Sequence, residues 1–253
     1  MTLIEIERWL DDCLDLAATA SLDASLNGLQ VARRTTDVSK VAFAVDAAME
    51  SFRRAVEWGA QLLVVHHGIL WGGQQRITGN HYDRVRFLVE QDLALYAAHL
   101  PLDVHPEVGN NAGIARQLGL VDLEPFGMYR GVALGWKGIF ADGLPLDEVV
   151  SRLAGRQGEP VRTLPFGPPL VKSIGIISGD APWGAAQAAA EGLDAFVTGE
   201  PAHEIYHHCL EQHIHAIFAG HYHSESHGVQ SLAGRLARET GLGTTYLDIP
   251  TGL

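Results

Sequence analysis

The sequence is poor in cysteine, in basic residues and in long apolar runs, and each shortage excludes a class of protein. Cys13 and Cys209 are its two cysteines and form no Cys-x-x-Cys pair, which argues against a disulfide framework or a zinc ribbon and fits a reducing compartment. Lys and Arg number 18 against 30 Asp and Glu, and a net charge of −12 argues against nucleic-acid binding through a basic surface. No apolar run approaches the ~20 residues of a membrane span, and the first residues are acidic and amphipathic, unlike a signal peptide. We therefore expect a cytoplasmic protein.

Two common catalytic motifs are also missing. Without a Gly-x-x-x-x-Gly-Lys-[Ser/Thr] loop a P-loop nucleotidase is disfavoured, and without Gly-x-Ser-x-Gly a serine-hydrolase elbow is disfavoured. Residues 203–207 read HEIYH and formally match the His-Glu-x-x-His pattern of zinc proteases. That match is weak, because it lies in a histidine-rich stretch and Pro201 places it at the very start of a helix.

The most informative stretch is an apolar run that ends in two histidines, residues 62–68, which read LLVVHHG. Four apolar residues predict a strand buried on both faces, as in a parallel sheet. His66 and His67 then follow at the edge of the sheet where ligands collect in open α/β folds. Gly68 allows a turn that lets both imidazoles face one cavity, and neutral imidazole is the commonest protein metal ligand. The alternative is one loop histidine and one packed histidine.

The order of predicted elements occurs twice, once in residues 1–141 and again in residues 142–253. Each half reads helix, strand, helix, strand, helix, strand, with polar residues at equivalent strand ends. The sequence therefore predicts an α/β fold with mixed, mostly parallel sheets, built from two duplicated α/β repeats with a metal site between them. The alternative is two generic βαβ units that look alike. A His-x-x-x-acid pattern after the third strand of both halves favours duplication.

Several local features are predicted as well. A helix over residues 4–18 begins with a capping box of Thr2 and Glu5. A second helix over residues 47–58 takes Asp46 as its N-cap. Residues 160–169 form a loop, residues 214–219 a strand and residues 226–240 a helix.

The two His-x-x-x-acid patterns add carboxylates to the histidine pair. With His99, Asp103, His221 and Glu225, the predicted strand ends offer four imidazoles and two carboxylates. These are more groups than one catalytic metal needs, and they suit two ions ~3.5–4 Å apart. The expected ligands are His66, His67, Asp103, His221 and Glu225. His99 is expected beside the metals rather than on them, because Pro101 separates it from Asp103. Nitrogen and oxygen donors without thiolate favour Zn, Fe, Mn or Ni, without choosing among them.

Other polar residues are weaker candidates. Glu200 and His203 occupy the place in the second half that His66 and His67 occupy in the first. Glu200 is a candidate base or an orienting partner for a ligand, and equally an ordinary acid at a helix start. His223 lines the site or is exposed, and Trp71 and Tyr222 either stack on a planar substrate or simply pack. The remaining histidines of this region are expected on a solvated or interface surface, namely His207, His208, His213 and His215.

These motifs together resemble the Nif-three-like dinuclear metal-centre proteins, often named GTP cyclohydrolase 1 type 2 homologs. The matching stretches are 65–68 (VHHG), 99–103 (HLPLD) with 109–111 (GNN), 197–200 (VTGE) and 220–225 (GHYHSE). The resemblance implies two intertwined α/β repeats, two divalent ions held by His66, His67, Asp103, His221 and Glu225, and a toroidal homohexamer. His223 departs from the family, which commonly has a small residue there.

Two functions remain open. In the first, the protein is a metal-dependent hydrolase in which an activated water attacks a purine nucleotide or a related small molecule, with Glu200 or His99 moving a proton. Arg76, Arg84 and Arg86 are then the local candidates for a triphosphate contact, or else ordinary solvated helix charges. In the second, the protein is a non-catalytic metal-binding or regulatory oligomer.

Overall fold

The computed structural model describes residues 1–154 and 161–253, and these form two compact units. The first unit consists of Met1–Leu102 and Gly228–Ile249, and the second of Asp103–His227 and Pro250–Leu253. Each unit is built on its own mixed sheet. The units differ from the predicted halves 1–141 and 142–253, because residues 103–141 belong to the second unit and the last strand of the chain, Gly243–Tyr246, pairs into the first sheet. The duplication of the two sequence halves stays a prediction.

The sheet of the first unit has five strands. The elements are α1 (Leu3–Leu14), a short 3-10 helix (Leu16–Ala18), β1 (Gly28–Val31), β2 (Lys40–Asp46), α2 (Met49–Trp58), β3 (Leu62–His67), α3 (Gly79–Glu90), β4 (Ala94–Ala97) and β11 (Gly243–Tyr246). The strand order is β1-β4-β3-β2-β11, with β1 antiparallel to β4 and the other pairs parallel. The apolar run that precedes the two histidines is therefore an inner strand, and its first four residues are buried as predicted.

Local chemistry accounts for how this unit's helices begin and pack. The capping box at α1 is confirmed, since Glu5 N–H donates to Thr2 Oγ1 and Thr2 N–H donates to Glu5 Oε2. Ile6, Leu10 and Leu14 recur at helical spacing and are buried. Residues 15–18 do not continue the helix, because Asp15 adopts a left-handed conformation and a 3-10 turn follows.

The sheet of the second unit has six strands in the order β5-β6-β8-β9-β10-β7. Its elements are α5 (Asn110–Leu118), β5 (Val121–Tyr129), β6 (Val132–Pro145), α6 (Leu146–Leu153), β7 (Arg162–Pro165), β8 (Leu170–Ile176), α7 (Gly184–Ala190), β9 (Ala195–Thr198), α8 (Ile205–Gln212) and β10 (His215–Phe218). Strands β8, β9 and β10 run parallel, and β5, β6 and β7 pair antiparallel with their neighbours. Two further helices, α4 (Leu100–Val104) and α9 (His221–Thr240), have residues in both units.

The predicted loop over residues 160–169 is wrong for residues 162–165 and is confirmed for residues 166–169. Residues 162–165 form β7, which pairs antiparallel with β10 at an edge of the sheet. Pro168 and Pro169 lie in the loop that follows β7, and Pro165 is the last residue of β7, an edge strand in which one side of the backbone needs no ladder partner. Residue 160 lies outside the described residues. No helix in the described parts of the chain is long and apolar enough to cross a membrane.

Candidate metal centre

Three imidazoles of the first unit lie together at the carboxyl ends of β3 and β4. His66 and His67 are the last two residues of β3, rather than following it as predicted, and His99 follows β4. The ring centroids are 4.7 Å apart for His66 and His67, and 5.0 Å apart for His66 and His99. Each ring offers one ligand nitrogen, and the three nitrogens lie within 4.8 Å of one another. The expectation that His66 and His67 belong to one group is therefore met within this unit.

Each of these imidazoles is held through its Nδ1 atom. His66 Nδ1 lies 2.9 Å from Ala98 O, His67 Nδ1 lies 2.9 Å from Asp46 Oδ1, and His99 Nδ1 lies 2.8 Å from Asp23 Oδ1. A carbonyl or ionised carboxylate oxygen can only accept, so in each pair the imidazole Nδ1–H donates. A neutral ring then carries its lone pair on Nε2, which is the arrangement that metal-binding histidines usually have.

Asp46 has a different role from the predicted helix cap. Helix α2 begins at Met49 with Ala48 as its N-cap and has no side-chain cap. Asp46 instead ends β2 and is the register partner of His67 on β3. Its carboxylate is thereby placed to bond the His67 ring, because side chains of neighbouring parallel strands at one register position point to the same face.

A segment between Asp23 and Gln30 supports the backbone that follows the histidine pair. Gln30 Oε1 accepts from Ile69 N–H at 2.7 Å and from Leu70 N–H at 3.3 Å. A Cβ atom on Gly68 would overlap the amide end of the Gln30 side chain, so glycine at this position lets Gln30 pack closely against the chain after the histidine pair. Leu26 N–H also donates to Leu70 O at 3.0 Å. In the sequence, the only sign of this role is that polar residues recur along the stretch, at Asp23, Asn27 and Gln30.

Asp103 is a buried carboxylate in the second unit, held by a network of neutral donors. Its Oδ1 accepts from Asn110 Nδ2 and from Ser178 Oγ, both at 2.8 Å. Asn111 donates through Nδ2 to Asp103 O at 3.1 Å and to Leu134 O at 2.8 Å, and its Oδ1 accepts from Ser178 N–H at 2.7 Å. The Gly-Asn-Asn stretch after Asp103 therefore fixes the position of this carboxylate.

His221 and Glu225 lie one turn apart at the start of α9. The predicted helix start at residue 226 is wrong, because α9 begins at His221, and the four-residue spacing places both side chains on one helix face. His221 Nε2 lies 3.1 Å from Glu225 Oε2, and His221 Nδ1 lies 2.5 Å from Glu200 Oε1. His221 thus repeats the pattern of the first unit, with its Nδ1 atom on an oxygen acceptor.

The Val-Thr-Gly-Glu stretch that carries Glu200 is anchored at Gly179. Gly179 O accepts from the Gly199 and Glu200 N–H groups at 2.8 and 3.1 Å, and from Thr198 Oγ1 at 3.0 Å. Gly179 has a φ of 68°, and a Cβ there would overlap Glu225 Oε1. Glycine at position 179 is therefore required by both its backbone conformation and the carboxylate beside it.

The other candidate histidines lie elsewhere or have structural roles. His203 and His207 are exposed, and α8 starts at Ile205, so residue 203 precedes the helix on which a zinc-protease site would require it. His215 is buried and bonds the loop after β7, accepting from Gly167 N–H and lying 2.8 Å from Pro168 O. The His223 ring packs against His227 with centroids 5.6 Å apart, and burial lowers the pKa of His227 to about 4.

The aromatic and basic candidates separate clearly. Trp71 donates through Nε1 to Gly68 O at 2.8 Å, and its ring meets the His99 ring edge-on at 4.9 Å, so it packs on the histidine group. Tyr222 is buried. Arg76 and Arg86 are exposed, and Arg86 faces Asp83 and Glu90 on its own helix. Arg86 therefore fits the interpretation of a solvated helix charge, and Arg76 lies in the exposed stretch before α3.

The second unit contains a cavity of about 230 Å³ that is lined in part by Glu200. Its lining side chains include Arg162, Glu200 and Phe218, and backbone of glycine residues completes the wall. The lining is mostly apolar, with one cation and one anion. Such a composition suits part of a small organic molecule that carries polar groups.

The fold and these side chains define a mixed α/β protein with histidine and carboxylate groups that could hold a divalent metal ion. The profile of the family described as Duf34/NIF3 (NGG1p interacting factor 3) matches residues 1–250. The chain belongs to this family.

Similar proteins are found among both curated sequences and solved structures. A GTP cyclohydrolase 1 type 2 homolog from Archaeoglobus fulgidus is 45% identical over 253 residues, with all of both chains covered. A protein of the same name from Deinococcus radiodurans is 45% identical over 98% of this chain and 94% of its own. The structure is similar to that of the protein ybgI, described as of unknown function, with a TM-score of 0.91 and 33% identity over all of both chains. It is also similar to TTHA1606 from Thermus thermophilus, with a TM-score of 0.88 and 41% identity over all of both chains.

Proposed function

We propose that each subunit binds two divalent metal ions and uses them to hydrolyse a small-molecule substrate. The proposed ligands are His66, His67, Asp103, His221 and Glu225. One observation carries the proposal: His66, His67 and His221 each bond an oxygen acceptor through Nδ1, which places the lone pair of a neutral ring on Nε2. A neutral imidazole that donates through Nδ1 offers the Nε2 lone pair that a metal ion requires.

The residues fit a divalent ion by their donor chemistry and spacing. His221 Nε2 and Glu225 Oε2 are 3.1 Å apart, close to the ~3.3 Å that separates two ligands around one tetrahedral ion with bonds of about 2 Å. The donors are imidazole nitrogens and carboxylate oxygens, a set that suits zinc, iron, manganese or nickel. A bound divalent ion would lower the pKa of water toward about 7 and so supply a nucleophile at neutral pH.

Glu200 and His99 are the proposed proton-handling residues. Glu200 bonds His221 through one oxygen and also lines the cavity of the second unit. It can therefore orient the imidazole and accept a hydrogen bond from an N–H group of a substrate. His99 bears its proton on Nδ1, which leaves Nε2 able to accept a proton.

The relatives' name makes a purine nucleotide the first substrate to test. The cavity of about 230 Å³ is below the ~300–1,000 Å³ of typical ligand sites, so it would take one part of a nucleotide rather than the whole. Arg162 is a better candidate for an anionic contact than Arg76, Arg84 or Arg86, because it lines the same cavity as Glu200. Arg76 precedes α3, and Arg84 and Arg86 lie on it.

The test is turnover by the metal-reconstituted protein on a panel of purine nucleotides that includes GTP. The expected result is conversion by the wild type and by Asp142→Ala, which removes an exposed acid of the second unit, and loss of conversion in Asp103→Ala. A protein that retains its metal but converts nothing in the panel would contradict the hydrolase and support a non-catalytic metal-binding protein instead.

We also propose that the subunit assembles into a homohexamer. Strand β5 is an edge strand of its sheet and exposes Val121, Leu123 and Met128, which is unusual for a strand edge that faces only water. Light scattering coupled to gel filtration should give six times the subunit mass, and Leu123→Lys should reduce it if β5 takes part. A monomeric wild type would contradict the proposal.

A further inference from the structure

Asp23 and His99 form a pair in the first unit that lies outside the proposed ligand set. Asp23 Oδ1 lies 2.8 Å from His99 Nδ1, and only 1% of the Asp23 side chain is exposed. His99 in turn faces the histidine pair, with ring centroids 5.0 Å from His66 and 5.6 Å from His67. In an oriented catalytic base, a buried acid bonds one nitrogen of an imidazole while the rest of the ring faces other functional groups. Asp23 and His99 have this arrangement.

Every other contact of the Asp23 carboxylate comes from a fixed donor. Oδ1 also accepts from Ser25 N–H at 2.8 Å, and Oδ2 accepts from Asn27 Nδ2 at 2.8 Å and from Leu100 N–H at 3.0 Å. The side-chain amide of Asn27 cannot flip without losing a hydrogen bond, because its Oδ1 already accepts from the backbone N–H of His99 at 2.8 Å. Both carboxylate oxygens are therefore surrounded by donors.

These contacts keep Asp23 ionised. Burial alone would raise the pKa of Asp23, but the hydrogen bonds from His99, Asn27 and Ser25 outweigh that effect and hold the pKa below its usual range. An ionised carboxylate has no proton to give, so His99 Nδ1 must be the donor. The lone pair of neutral His99 is then on Nε2.

We propose that Asp23 is a positioning residue that fixes His99 in the Nδ1–H tautomer and so presents Nε2 as a hydrogen-bond acceptor beside His66 and His67. The role of that acceptor rests on the proposed hydrolase. The attacking water gives its proton to Nε2, and an electron pair of its oxygen forms the new bond to an unsaturated carbon of the substrate. The π bond of that carbon breaks, and its electron pair moves onto the neighbouring substrate heteroatom. The imidazolium so formed faces the Asp23 carboxylate, which stabilises its charge.

Trp71 completes the placement of the ring. Its indole is fixed by the bond to Gly68 O and meets the His99 ring edge-on. The His99 ring thus has an acid at Nδ1 and an indole against its side, which leaves Nε2 as the polar atom available to a ligand. Tautomer and orientation are set by the first unit alone.

The substitution Asp23→Asn makes a sharp prediction. The amide oxygen should replace Oδ2, where two fixed donors, Asn27 Nδ2 and Leu100 N–H, converge, because Oδ1 faces only one fixed donor, Ser25 N–H. The NH2 group then faces His99. His99 Nδ1 must then accept, and its proton moves to Nε2. The acceptor beside His66 and His67 becomes a donor, while no proposed metal ligand has been changed.

Neutron diffraction from deuterated, metal-free crystals locates the proton directly, which X-ray data at ordinary resolution do not. We expect deuterium on His99 Nδ1 in the wild type and on Nε2 in Asp23→Asn, and on Nδ1 in the control Asp92→Asn, which changes another multiply bonded acid of the same unit. Deuterium on Nε2 of the wild type, or no change in Asp23→Asn, would overturn the proposal. The wild-type result decides even if the variant fails to fold.

Measuring the metal content shows whether Asp23 positions His99 as a hydrogen-bond acceptor or supports His99 as a metal ligand. Asp23→Asn should bind as much metal as the wild type, whereas His67→Ala should not. A switched tautomer together with metal loss as large as in His67→Ala would make His99 a ligand and overturn the acceptor role. Because the tautomer is read without metal or substrate, failure of the hydrolase proposal would leave that result unaffected.

Discussion

Asp46 Oδ1 lies 2.9 Å from His67 Nδ1, and the two residues are register partners on adjacent parallel strands. The pairing of β2 with β3 therefore places the Asp46 carboxylate next to the His67 imidazole. The contact fixes both the ring orientation and the tautomer of His67, and it raises the basicity of Nε2.

Replacing Asp46 by Asn should therefore weaken metal binding without unfolding the protein. Loss of such a carboxylate partner typically lowers metal affinity about 10–100-fold. Isothermal titration of metal-free protein with zinc measures the change. The matched control is Glu50→Gln, which removes an exposed acid four residues away that pairs with Arg54. Equal affinities for Asp46→Asn and wild type would show that the Asp46 contact does not tune His67.

The amide of Asn111 should contribute more to stability than the hydroxyl of Ser178. Asn111→Ala leaves the Leu134 carbonyl and the Ser178 N–H without their buried partner, which should cost about 2–4 kcal/mol. Ser178→Ala removes one bond to Asp103 and should cost about 1 kcal/mol. Urea unfolding of the metal-free protein measures both, with the exposed Asn80→Ala as control. The reverse order of the two costs would contradict the hydrogen-bond network described.

Asp92 should make the stability depend on acid pH. The Thr35 hydroxyl and the Arg34 N–H group, both 2.6 Å from its carboxylate, hold the pKa of Asp92 well below its usual range. The unfolded value is about 3.9, so the stabilisation is present above that pH and is lost as the pH falls below it. Asp92→Asn lacks this contribution. In urea unfolding, the free energy of unfolding of the wild type should exceed that of the variant most at pH 7. The difference between the two free energies should narrow toward pH 3. A constant difference would exclude the ionised form as its source.

The sequence predicted the strand that carries His66 and His67 well, because burial of an inner parallel strand leaves a continuous apolar run. Leu62 to Val65 carry that signal with nothing to dilute it. By contrast, β5 lies at a sheet edge, carries Pro125 and Gly127, and has mostly exposed side chains, so periodicity gives no clear indication of it. The helix start at His221 was missed because a glycine and a run of polar residues resemble a loop.

Glu200 was a candidate partner for a ligand and bonds His221, but the supporting residues that act over a long distance in sequence could not be predicted. Asp23 bonds His99 from 76 residues away, and Ser178 bonds Asp103 from 75 residues away. A single sequence carries no pattern for such pairs. Asp46 was even assigned a plausible local role as a helix cap, because a short-range rule and a long-range contact both favour an acid at that position.

The most direct test of the metal centre is elemental analysis of protein purified without a histidine tag, in wild type and His67→Ala. The proposed ligand set predicts about two transition-metal ions per wild-type chain, as a two-metal site requires, and a clear loss in the variant. Wild-type protein that carries no metal, and takes none up on reconstitution, would contradict the proposed centre.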